Sequence, residues 1–211
     1  KVETYDHLKA VIQGKTWPDG LSDIQHRMAD IEHHMLHFLD NHDEQRLASP
    51  EFAGTPEKGK PLMVVSATIS TAPTMIYFGQ EVGEAGNENA GFGTHSRTSI
   101  FDYIGVPNHQ RWMNGGKFDG GQLSQSEKDL RDFYKRLLNF SINSSALMGN
   151  FQEIQTANRN ITPGYDIAIY SYVRWSDTQK LIVVTNFYSL ASSNFELRIP
   201  ADIIQKWNLK D

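Results

Sequence analysis

The side chains best equipped for chemistry lie in one run, His37-Phe38-Leu39-Asp40-Asn41-His42-Asp43-Glu44-Gln45-Arg46. Carboxylates, an imidazole, an amide and a guanidinium fall within a few residues of one another. Such a set can grip hydroxyl groups and stabilise developing positive charge. The same residues also read as a solvated turn with a polar tip. A third chemistry is metal ligation: His33 and His37, four apart, would share one face of a helix, and Asp40 could join them. A strand through Met35–Leu39 removes that geometry. It leaves His33 and His34 exposed and turns His37 into the sheet.

What precedes the cluster decides how it is presented. Met35 to Leu39 is a short apolar run whose length suits a buried strand, with the polar residues forming the loop at its C-terminal edge. In parallel α/β folds that edge is where chemistry is placed, because helices cover the faces and leave the strand ends open. Upstream, Thr4 to Gly14 reads as a helix with Tyr5, Leu8, Val11 and Ile12 on one face, Thr4 able to cap it and Gly14 suited to a left-handed stop. A second helix carries Leu21, Ile24, Met28 and Ile31. Downstream, Ser49-Pro50-Glu51 has the pattern of a helix start. Lys60 to Ile69 reads as an apolar helix, and Pro73 to Gly79 as another strand. The alternation predicts parallel βαβ units.

These elements carry a resemblance. Phe38-Leu39-Asp40-Asn41-His42-Asp43 is similar to the F-x-x-N-H-D signature of the α-amylase family of glycoside hydrolases. Thr71-Ala72-Pro73-Thr74-Met75-Ile76-Tyr77-Phe78-Gly79-Gln80-Glu81-Val82-Gly83 resembles that family's last barrel strand, G-x-P-x-I-Y-Y-G-Q-E-x-G, at the family's spacing. The resemblance implies an α/β fold: the C-terminal part of a (β/α)8 barrel over 1–148, then an antiparallel all-β domain over 149–211, possibly truncated. A complete barrel takes about 250 residues, so the 211 residues, which begin Lys1-Val2-Glu3-Thr4, are expected to be part of a longer protein.

By resemblance Asp43 is the carboxylate that stabilises the transition state, His42 hydrogen-bonds the same sugar, and Asn41 and Arg46 are further substrate-site candidates. Asn41 is better suited to holding the loop, and Arg46 and Asp40 to pairing and loop support. Retaining glycosidases also need a nucleophile and an acid. The family's G-x-R-x-D and D-x-V-x-N-H stretches are absent here, so the expected function is part of a retaining α-glucan hydrolase, acting on α-1,4-linked starch or maltooligosaccharides and inactive in isolation. A transglycosylase of the same family and a non-catalytic α-glucan-binding module are the alternatives. The family often binds calcium, but no residue here predicts a calcium site or other cofactor.

The rest of the chain supplies packing. Gln80 to Leu123 reads as a long loop, rich first in Gly and Asn (Gly83, Gly86, Asn87, Asn89, Gly91, Gly93) and then in aromatics (Phe92, Phe101, Tyr103, Trp112). Arg97 to Tyr103 loosely resembles the family's R-T-P-M-x-W segment, and Trp112 could stack on a sugar or simply pack the loop. Ser124 and Glu127 form a capping box for a helix to about Ser145 with a stripe of Leu130, Phe133, Tyr134, Leu137, Leu138 and Ile142. Asp166–Trp175, Lys180–Tyr188 and Phe195–Ile199 read as antiparallel strands. A net charge of −5 and the lack of a basic run give no support to nucleic-acid binding. No apolar stretch reaches membrane-span length. Without cysteine there is no disulfide framework. Compartment and oligomeric state are left open.

Overall fold

In the computed structural model, residues 1–86, 98, 106–187 and 192–209 are described. The N-terminal half is helical: α1 (Val2–Ile12), α2 (Gly20–Arg27) and α3 (Lys60–Thr68), followed by α4 (Pro107–Met113) and the long α5 (Gln125–Asn143). The strands β1 (Asn150–Glu153), β2 (Ile169–Trp175) and β3 (Lys180–Asn186) then form one antiparallel sheet in the order β1-β2-β3, and α6 (Ala201–Trp207) closes the described chain.

Apolar periodicity explains the helices. Tyr5, Leu8 and Val11 of α1 are buried at intervals of three, and Gly14 at φ +69° reverses the chain just past its end. Thr4 lies inside α1 and caps nothing, because the helix begins two residues earlier. In α2, Leu21 and Ile24 are buried, but the helix stops at Arg27 and Ile31 is left exposed. The Ser49-Pro50-Glu51 start does not propagate. Phe52 and Gly54 both donate their N–H to the Ser49 carbonyl, and Gly54 at φ +81° turns the chain away. In α5 the capping box forms as the sequence requires, Ser124 Oγ accepting from the Glu127 N–H and Glu127 from the Ser124 N–H. Leu130 and Tyr134 are buried, whereas Ile142 emerges from the packed stripe and is 79% exposed.

The two expected parallel strands shrink to one bridge between His37 and Thr74. His37 N–H donates to Pro73 O (2.9 Å) and Met75 N–H to His37 O (2.8 Å), which is the parallel pattern. Pro73 has no N–H to extend it, and no other strand flanks the pair among the described residues. No closed barrel forms among the described residues.

β2 is central to its sheet, so it is buried on both faces and shows no simple alternation. Tyr170 and Tyr172 face the helices and share a core with Leu8, Leu39, Leu62 and Leu130. Each fully buried leucine contributes about 1.5–3 kcal/mol. Two hydroxyl pairs cross the same seam, Ser22 Oγ with Tyr170 Oη (3.1 Å) and Thr68 Oγ1 with Tyr172 Oη (2.5 Å). The other face of β2 packs Val173 against Ile154, Ile203 and Trp207. The expected strand Phe195–Ile199 forms no ladder. Asn158 occupies its backbone instead, accepting from Arg198 N–H (2.8 Å) and donating to Arg198 O (2.9 Å). β1, α4 and α6 are elements that the sequence reading did not identify.

Candidate functional site

The run from Asp40 to Leu47 leaves the His37 bridge as a loop fastened at both ends by its own side chains. Asp40 is fully buried, accepting from the Leu47 N–H through Oδ1 (2.6 Å) and from Arg46 Nη1 through Oδ2 (3.3 Å). Inside that closure, Asn41 Oδ1 accepts from the backbone N–H groups of Asp43 and Glu44, both at 2.8 Å. Asn41 thus folds the tip into an Asx-type turn. The turn presents His42 and Asp43 to solvent, with side chains 53% and 72% exposed and His42 Nε2 at 3.3 Å from Asp43 Oδ2.

Arg46 is placed differently. Its side chain is fully buried, with Nη1 also donating to Phe78 O (2.7 Å) and Nε to Thr98 Oγ1 (2.6 Å). The guanidinium lies 4.6 Å from the Tyr77 ring centre and 4.8 Å from that of Phe78, within cation–π range. It ties the Asp40–Leu47 loop to the end of the neighbouring segment and to Thr98. One nitrogen, Nη2, has no partner among the described residues. Burial pushes the Asp40 carboxyl up to about 6, against the opposing pull of Arg46 and the Leu47 N–H, and Glu84 adds to the rise.

Glu84 and His109 are members of this neighbourhood that sequence reading missed. Glu84 is 2% exposed and accepts from the N–H groups of Asn108 (3.0 Å) and His109 (3.3 Å) at the start of α4. His109 packs edge-on against Phe78 and stacks on Trp112, whose ring also meets Phe118 and the Arg131 guanidinium. Trp112 thus packs against its own loop and α5. The family-like Gln80 is structural as well, donating to Tyr134 Oη (3.2 Å) from the turn between Gly79 and Gly83. The only advance signal for Glu84 was its place one residue after that Gly-rich turn. Asn87, Asn89, Gly91, Phe92, Gly93, Phe101 and Tyr103 lie outside the described residues, as does the R-T-x segment apart from Thr98.

Among the described residues the histidines do not converge into a ligand set. His33 is exposed and rests on the ring of His34, while the buried His37 joins Glu32 through Nε2 (2.8 Å) and Asp40 faces Arg46. Among the described residues no group of three potential ligands comes together. Likewise, no helix among the described residues is long and apolar enough to cross a membrane.

No protein-family model matches the chain, and no curated protein matches it. Among solved structures, it is similar to AmyP, seen as a substituted form in complex with maltotriose, at a TM-score of 0.59 and 18% identity. The likeness covers 88% of this chain and 39% of AmyP, so the chain spans well under half of AmyP's length, and what the two share is a fold.

Proposed function

We propose that this chain is the C-terminal part of an α-amylase-like barrel followed by its β-domain, and that it contributes one wall of an α-glucan-hydrolysing site. The observation that carries this reading is the Asx turn of Asn41, which holds His42 and Asp43 side by side and exposed just beyond the His37 bridge. The N-H-D and G-Q-E resemblances support it, as does the fold shared with AmyP, a protein solved with maltotriose.

In this reading Asp43 accepts hydrogen bonds from sugar hydroxyls and faces the positive charge that develops at the transition state, and His42 donates to the same sugar. The interaction strengthens as charge develops, which is what raises the rate. Asn41, Asp40 and Arg46 position these two and do not touch sugar. The nucleophile and acid required for retention come from the rest of the barrel, so the isolated chain does not turn over.

Calorimetric titration of maltotriose into the chain tests the reading. Saturable binding that Asp43→Asn and His42→Ala each weaken, with no shorter sugars released, supports it. Binding unchanged by both substitutions, or robust hydrolysis by the pure chain, overturns it. In a complete barrel, Asp43→Asn is expected to lower kcat/KM on the order of 10²–10³-fold.

A further inference from the structure

A second site lies away from the Asp43 loop, in a cleft of about 310 Å³ between the end of α2, the turn after α3 and the β1–β2 pair. Its lining includes Gln25, His26, His33, Ser70, Thr71 and Arg174. Arg174 is fully buried, and its donors go to main-chain carbonyls: Thr68 O (3.0 Å), Leu147 O (2.6 Å), Gly149 O (3.3 Å) and Asn150 O (3.1 Å). Among the described residues no carboxylate forms an ion pair with it. Burial lowers its pKa to about 10, against the opposing pull of the Tyr172 hydroxyl and the Glu32 carboxylate.

The nearby carboxylate balances that charge only in part. Glu32, also on the cleft, already accepts from Lys1 Nζ through Oε2 and from His37 Nε2 through Oε1. Lys1 and Arg174 are both buried cations, and Glu32 is one carboxylate against two positive charges. Gln25 is 7% exposed, and its Nε2 has no hydrogen-bond partner. A buried amide donor left unpaired costs about 1–3 kcal/mol. A buried guanidinium with no carboxylate in an ion pair and an unspent amide donor thus belong to two residues that line one cavity, together with Thr71 and two histidines.

We infer that this cleft binds phosphate, free or as a monoester, with the Gln25 amide and the Thr71 hydroxyl as donors and Arg174 supplying the field. The cavity has room for an organic group attached to the anion, so a free ion and a phosphate monoester are both admitted by its chemistry. The inference is independent of the α-glucan reading, since none of these residues belongs to the Asp43 loop.

The test is titration of inorganic phosphate, and separately of glycerol phosphate, into the whole chain at constant ionic strength with chloride as counter-ion. Saturable binding with a rise in Tm is expected for at least one of them, and Gln25→Leu is expected to weaken it about tenfold, the effect of one lost hydrogen bond to a charged group. Tighter binding of the monoester identifies an organic phosphate as the ligand, and equal binding identifies the free ion. Thr71→Val, at the half-exposed mouth, keeps the test decisive if Gln25→Leu folds poorly. A non-saturable response to either anion, or binding that neither substitution weakens, overturns the inference.

Discussion

Arg46 Nη1 lies 3.3 Å from Asp40 Oδ2, with both side chains almost completely buried and six residues apart in one loop. The pair closes the loop that carries His42 and Asp43. Because Arg46 also holds Phe78 O and Thr98, the loop is fixed to its surroundings as well as to itself.

Arg46→Ala leaves the Asp40 carboxyl buried without its cation. The expected loss is about 3–5 kcal/mol, as for other buried pairs broken on one side. Arg46→Lys should recover part of it, since a lysine restores charge but not the fork that reaches three acceptors. Urea midpoints of the three proteins measure this. A cost below about 1 kcal/mol for the alanine variant would show that the loop closes without the pair.

Asn41→Ala removes the acceptor for two backbone N–H groups at the tip. The expected cost is about 1 kcal/mol, the scale of a lost side-chain cap. Asn41→Asp keeps an acceptor and should be near neutral. Hydrogen exchange at the Asp43 and Glu44 amides should rise in the alanine variant alone.

The pH response should have two parts of opposite sign. Burial would raise the Glu32 carboxyl, but hydrogen bonds from His37 and Lys1 hold it down to about 2, below its ordinary 4.5. Its contribution is therefore present above pH 4.5 and lost as pH falls toward 2. Asp40 is shifted the other way, from 3.8 to about 6, so the fold favours its protonated form and loses that contribution as pH rises through this window. Melting curves should show Glu32→Gln with a shallower acid decline than the parent. An identical decline in both proteins would remove Glu32 from the account.

Two glycines should respond differently to alanine. Gly83 sits at φ +76°, and a Cβ there would meet Pro56 Cγ at 2.7 Å, so strain and overlap add. Gly115 at φ +65° has open space around it and bears only the left-handed penalty of about 1 kcal/mol. Gly83→Ala should cost more than Gly115→Ala, and comparison of their Tm values decides the ranking.

Much of the local structure was legible in the sequence because its causes are local. The Ser124–Glu127 box, the Tyr5-Leu8-Val11 stripe and the Gly14 stop each depend on a few neighbouring residues, and each is found where the sequence places it. The N-H-D run likewise indicated a polar loop after an apolar segment. What failed depended on partners distant in sequence. Met35–Leu39 and Pro73–Gly79 have strand character, yet a parallel strand extends only with neighbours on its edges, and here each keeps one bridge. Phe195–Ile199 has strand composition, but the side chain of Asn158 takes its backbone groups.

The candidate site divides in the same way. The sequence alone shows that two amides, an imidazole and three carboxylates stand together before Arg46. Packing separates their situations: Asp43 and His42 outward, Asp40 and Arg46 inward, and Glu84 brought in from the turn after Gly83. Residue types fix which hydrogen bonds are possible. Burial decides which of those bonds must be made inside the protein, and that depends on packing between Phe78, Thr98 and the loop, which no local pattern encodes.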